Sequence, residues 1–310
     1  MIPLFRKYGK TTVLFGFLIL VYLAQTLFAP VDKATLHRYH IDAGQARLLG
    51  LSVVIPYIII WLIALIGYLR LRSYADTIKG SKDGAAFAII ARGIWWFVIW
   101  LPLSSIVGDL VTEYYQSHAS ATADLVRLNN YFNVLILLPG FWLVKKGSSQ
   151  LLQIIKKPVN MAPDLVMFAY IVISALYVFL VLHDSARYLP AHNVSVASYY
   201  EPDWLIITSL VIPRLLAWFW GFQAVNNILT YRANVKGKLY QRALNDLAKG
   251  LAGILVITIL LRGLQSLTVL LSKWNLGVLL AVIYLLLIIM AIGYAFIAVG
   301  AKNLQKLEEL

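Results

Sequence analysis

Apolar residues in this chain come in long unbroken runs, without the strict alternation of a half-buried strand. About 20 such residues span a bilayer as a helix. Eight runs stand out, near Thr12–Leu27, Leu48–Leu69, Ala85–Val111, Asn130–Val144, Leu165–Leu182, Trp204–Ala224, Leu247–Leu271 and Leu276–Val299. The third and seventh are long enough to tilt or to continue past the bilayer. The fourth is short and carries Pro139-Gly140, which predicts a kink or break there. The pattern therefore predicts an all-α, polytopic integral membrane protein with eight transmembrane helices.

Composition points the same way. Of 310 residues, 61% are hydrophobic and 13% charged, with a mean hydropathy of +0.77. Soluble domains run nearer 45–50% apolar and about 25% charged. An ordinary cytosolic enzyme, a disordered protein and a secreted disulfide scaffold are excluded. The chain has no cysteine, which removes thiolate catalysis, disulfides and Cys-ligated metals.

The net charge is +13. In a soluble protein that would suggest nucleic acid. Here basic residues flanking the cytoplasmic ends of membrane helices account for it, and no nucleic-acid partner is expected. Loops and tails on the N-terminal side of the eight runs, with Arg92 and Lys249 at helix ends on that side, hold 19 Lys and Arg, the opposite loops hold 6, and Arg214 and Arg262 lie deep within runs. That bias puts both termini in the cytoplasm of a cell (plasma or inner) membrane protein. The cytoplasmic basic loops should touch anionic lipid headgroups. Tyr114, Tyr115, Tyr199, Tyr200, Trp204 and Trp274 fall where an outer aromatic belt would lie. The N-terminal run has the look of a signal peptide, with Arg6-Lys7 ahead of it and Leu27-Phe28-Ala29 at its end. Pro30 makes cleavage there unfavourable, so a retained helix is expected.

The chain also matches itself. At an offset of 157 residues, Val54-Ile55-Pro56 falls on Val211-Ile212-Pro213, Trp61 on Trp218, Tyr74 on Tyr231, and Lys79-Gly80 on Lys236-Gly237. Ala86 falls on Ala243, and Ala91-Arg92-Gly93 on Ala248-Lys249-Gly250. From 53 to 93 there are 10 identities in 41 ungapped positions. The loop matches are not hydrophobic coincidences. Two four-helix repeats are predicted, 1–157 and 158–310. An even number of helices makes them parallel, related by a pseudo-two-fold axis along the membrane normal. Parallel repeats occur in transporters, and they also arise by simple structural duplication. Pro56 and Pro213 within the second helix of each copy, and Gly108-Asp109 late in the third helix, resemble an uncharacterised bacterial four-helix membrane domain. The second copy departs from it with Gln265-Ser266. The resemblance implies architecture only.

Ionisable groups at membrane depth are costly and default to functional candidates. Arg214 and Arg262 lie roughly 15 and 18 Å below Trp204 and Trp274, at about 1.5 Å per residue. Thr258, Arg262, Gln265 and Ser266 share one helical face, and Ser105, Asp109 and Thr112 form the matching stripe at the 157-residue offset. Three readings stay open: a structural Arg–Asp109 pair, an anion site built on Arg214, Arg262, Asp109, Gln265 and Ser105, or a water-lined relay, which arginine disfavours. His37, His40, His118, His183 and His192 all fall on the outer side, and a metal site from His37, His40, His118 and His192 is a minor candidate beside ordinary loop histidines. No nucleotide or hydrolase motif occurs, and no cofactor is expected. Function is left between a small transporter or permease for an anionic solute or lipid, a non-catalytic membrane scaffold or subunit of a larger envelope complex, and an outward-facing metalloenzyme. A membrane-protein partner or homo-oligomer suits the second. Trp95, Trp96, Trp100, Trp218 and Trp220 could face a partner, lipid or the core.

Overall fold

The computed structural model describes residues 2–28, 36–37, 40–116, 122–155, 163–188, 211–271 and 276–307. The helices among these residues, in chain order, are α1 (Ile2–Lys7), α2 (Gly9–Phe28), α3 (Ala43–Thr77), α4 (Lys82–Gln116), α5 (Thr122–Ile154), α6 (Pro163–Tyr188), α7 (Ile212–Asn234), α8 (Lys238–Leu271) and α9 (Leu276–Lys306). No strand occurs among the described residues. Five helical stretches are long and apolar enough to cross a membrane: Gly9–Phe28, Ala43–Thr77, Lys82–Ser104, Lys238–Leu260 and Leu276–Lys306.

The helices outrun the apolar segments that predict them. α3 and α4 have 35 residues each and α8 has 34, about 50 Å at 1.5 Å per residue against a hydrocarbon core of about 30 Å. Local chemistry sets several ends. Asp42 caps α3 in a reciprocal box: its carboxylate accepts from the Gln45 N–H at 2.7 Å, and the Gln45 side chain accepts from the Asp42 N–H at 3.0 Å. Gly80 and Gly237 both sit at φ +102°, in the turns that lead into α4 and α8. A side chain there would be strained, which is why Lys-Gly occurs twice.

Helix packing uses small residues. A Cβ on Gly93 of α4 would lie 2.5 Å from Val144 and 2.8 Å from the Gly140 carbonyl of α5; one on Gly250 of α8 would lie 2.5 Å from Ile297 and 2.8 Å from the Gly293 carbonyl of α9. Gly147 and Gly300, one heptad on, meet Ala86 and Ala243 at 2.8 Å in the same way. Glycine lets these backbones close without a hydrophobic driving force between lipid-bathed helices. The expected break at Pro139-Gly140 is not seen: α5 runs through it. Gly140 is needed there because a Cβ would come within 2.6 Å of the Phe97 ring.

α4 packs on α5, and α8 on α9; α5 reaches on to α7, and α9 back to α3. α2 lies against α3 and α4, and α6 against α7 and α8. The centre is filled. Phe97 and Phe141 stack at 4.7 Å, and the Tyr294 hydroxyl donates to the Phe97 carbonyl at 3.1 Å. Trp61 and Trp218 are buried under Tyr22 and Tyr177, with ring centroids 4.9 Å apart in both cases. Trp61 and Trp218 are therefore core residues. Trp96, by contrast, is exposed.

Candidate functional site

Arg214, in the first turn of α7, is 7% exposed. It donates to the Tyr177 hydroxyl of α6 at 3.1 Å and lies 5.8 Å from the centre of that ring. Tyr177 in turn packs edge-on against Trp218. The guanidinium is thus held in an aromatic wall between α6 and α7, with its charge spread over a hydroxyl and a π face. Ser105 and Asp109 lie on α4, and Arg262 and Gln265 on α8. Their side chains fall outside the described ones, so the expected pairing of Asp109 with Arg262 or Arg214 lies outside what the structure describes. His37 and His40 lie near one another, ring centres 6.2 Å apart. His118 and His192 are outside the described residues, among which no group of three potential metal ligands occurs.

A second site was not anticipated from sequence. Between α5, α6 and α7 lies a cavity of about 220 Å³. Its polar wall is Lys145 and Ser149 of α5, Tyr170 of α6, and Gln223, Asn226 and Asn227 of α7. Val166, Met167, Phe219 and Phe222 close its apolar sides. Asn227 donates to Ser148 at 3.2 Å and to Ser149 at 3.1 Å, tying α7 to α5 and fixing the floor. Tyr170 donates to the Leu215 carbonyl at 3.4 Å and packs on Phe219 and Phe222. The Gln223 Oε1 is buried without a hydrogen-bond partner. Among the described side chains no carboxylate lines the cavity, and the only ion pair among the described residues is Arg72–Asp76 at 3.3 Å. Lys145 therefore gives the cavity a positive potential that no described carboxylate offsets. A pattern signal was present: Gln223, Asn226 and Asn227 recur at the spacing of one helical face. A search restricted to ionisable groups passes over it.

Two more polar clusters sit at helix ends. Tyr231 of α7 donates to the Asp83 carboxylate of α4 at 3.1 Å and meets the Tyr240 hydroxyl at 3.4 Å. Burial is the main cause that pushes the Tyr231 phenol up to about 12; Tyr240 pulls it down and Asp83 adds to the rise. Tyr8 donates to Asp76 at 2.7 Å, tying the N-terminal helices to α3, and burial followed by Asp76 raises its pKa well above the ordinary phenol value. Asp246 of α8 is buried and accepts from Asn303 of α9 at 3.4 Å.

No protein-family model, curated protein or solved structure matches the chain.

Proposed function

We propose that this is an eight-span membrane protein of two parallel four-helix repeats, 1–157 and 158–310, with both termini cytoplasmic, and that it is a packed, non-catalytic scaffold rather than a conduit. The repeat reading is supported by like surroundings at Trp61, Gly80 and Gly93 and at the residues 157 further on. Gly80 and Gly237 share one φ, Gly93 and Gly250 meet equivalent atoms, and Trp61 and Trp218 lie under equivalent tyrosines. The observation that carries the scaffold reading is the filled centre, where Phe97, Phe141 and Tyr294 meet and a Cβ on Gly221 would come within 2.9 Å of both Leu255 and Phe141. A solute path along the axis would have to displace these aromatic rings.

The absence of native cysteine makes the test direct. Single cysteines at Phe97, Leu101 and Ile254 should resist a membrane-impermeant maleimide from both sides and react only after denaturation. Labelling of any of them in intact membranes would replace the scaffold with a transport pathway. Single cysteines at Ser81 and Lys236 should label from the cytoplasmic side alike; opposite sidedness would end the parallel-repeat reading. The second reading, a permease for an anionic solute or lipid, is favoured by one observation, the buried Arg214 against Tyr177. It requires the axial positions to label.

A further inference from the structure

We propose that the cavity between α5, α6 and α7 is a specific site for the phosphate headgroup of an anionic glycerophospholipid of the cytoplasmic leaflet. The proposal rests on the membrane orientation given above. Three features converge on it. Among the described side chains the charge is a single cation: Lys145 lines the cavity, and no described carboxylate pairs with it or stands in the wall. A lone ammonium among neutral donors suits a singly charged phosphodiester. The neutral groups suit what accompanies that phosphate: Ser149 and Asn226 can donate to its free oxygens.

The third feature is placement. The cavity opens beside Met167 of α6, whose outer face carries Phe168 at 64%, Ile171 at 57% and Phe179 at 63% exposure. Acyl chains would lie along this face while the head turns inward. On α5, Lys146 sits 5.1 Å over the exposed Trp142 ring. An aromatic and a lysine side by side mark the level of the membrane interface. A soluble phosphate would find the same cation, but it would leave the apolar mouth uncovered.

The purified full-length protein in mild detergent is titrated with phosphatidylglycerol, phosphatidylcholine or inorganic phosphate, and its melting temperature followed. Phosphatidylglycerol should raise it and the other two should not. Lys145→Gln should weaken that response about tenfold, the loss of one charge-assisted hydrogen bond. Lys302→Gln, an exposed lysine on α9, should not change it. A photoreactive phosphatidylglycerol, used on the wild type so that no folding defect intervenes, should cross-link to peptides containing residues 166–170. Equal shifts with phosphatidylcholine, an equal shift with phosphate alone, an unaltered response in Lys145→Gln, or cross-links elsewhere would each overturn the proposal. Single cysteines separate this from the orientation reading. If Lys236→Cys labels from the outside while phosphatidylglycerol still binds through Lys145, the orientation falls and the headgroup site stands, in the other leaflet.

Discussion

Around α7 the wall of the bundle holds an open polar cleft, whereas around α3 the matching place is shut. On the proposed two-repeat reading the two are built by corresponding helices: α5, α6 and α7 in one case, and α9, α2 and α3 in the other. Where Tyr170 lines the cavity, Phe15 lies 155 residues earlier, 1% exposed and packed edge-on to Trp61. Where α7 presents Gln223 and Asn226, α3 presents Ile66 and the fully buried Leu69. Val144 meets Gly93 as Ile297 meets Gly250, which sets Lys145 against Ala298, 153 residues on; Asn227 falls on Arg70 at the 157-residue offset, and Arg70 donates to the Ala298 carbonyl at 3.3 Å. Apolar side chains can close on one another without leaving a polar atom unpaired. Amides cannot unless each finds a partner. The cleft stays open because its side chains are poor at filling it, and the buried Gln223 oxygen records the cost of keeping it so.

That comparison can be broken in several ways. The largest effect is expected where the two halves agree. Gly93→Val and Gly250→Val should each cost about 3 kcal/mol or more, through forced separation of the paired helices. Folded yield and melting temperature would read it, and a loss in only one of the two would contradict the equivalence. Next comes the pair that differs. Phe15→Ala should cost about 3 kcal/mol as an emptied core site. Tyr170→Ala should cost about 1 kcal/mol, because its ring already borders a void and loses one long hydrogen bond. Equal costs by denaturant titration would mean the cleft is packed as tightly as its counterpart.

A smaller effect of opposite sign should follow from giving α7 the residues of α3. Gln223→Ile with Asn226→Leu removes an unpaired buried amide and should stabilise by about 1–2 kcal/mol while abolishing the phosphatidylglycerol response. A loss of stability would show that the amides are satisfied in the membrane. The smallest effect is at Tyr231. Its phenol ionises near 10 when unfolded and is pushed up to about 12 in the folded protein. Its contribution is therefore whole below pH 10 and is lost as pH rises through 12. The melting temperature should fall more steeply above pH 10 in wild type than in Tyr231→Phe.

Much of the helical order was legible. Runs of apolar residues located the helices, and the 157-residue offset singled out Trp61 with Trp218 and Gly80 with Gly237 before their surroundings were visible. At Pro139-Gly140 the helix is not broken, and the glycine is kept for the Phe97 ring, a contact from another helix that the local pattern does not show. Arg214 was found because a charge in an apolar run is conspicuous. The cleft was not, because Gln223, Asn226 and Ser149 carry no charge. Their meaning depends on which neighbour faces them, and no local pattern states that.

The pairing of α9 with α3 has a consequence for synthesis. Tyr284 donates to the Ser52 side chain at 2.8 Å across 232 residues, and Gln305 donates to the Arg70 carbonyl at 3.3 Å across 235. At roughly 5–20 residues per second, α3 waits on the order of 10–50 s for the ribosome to deliver its partner. Until then its flank is covered by lipid, an insertase or nothing. A chain that stalls before α9 is made presents that bare flank to membrane quality control, so α9 decides whether α3 survives.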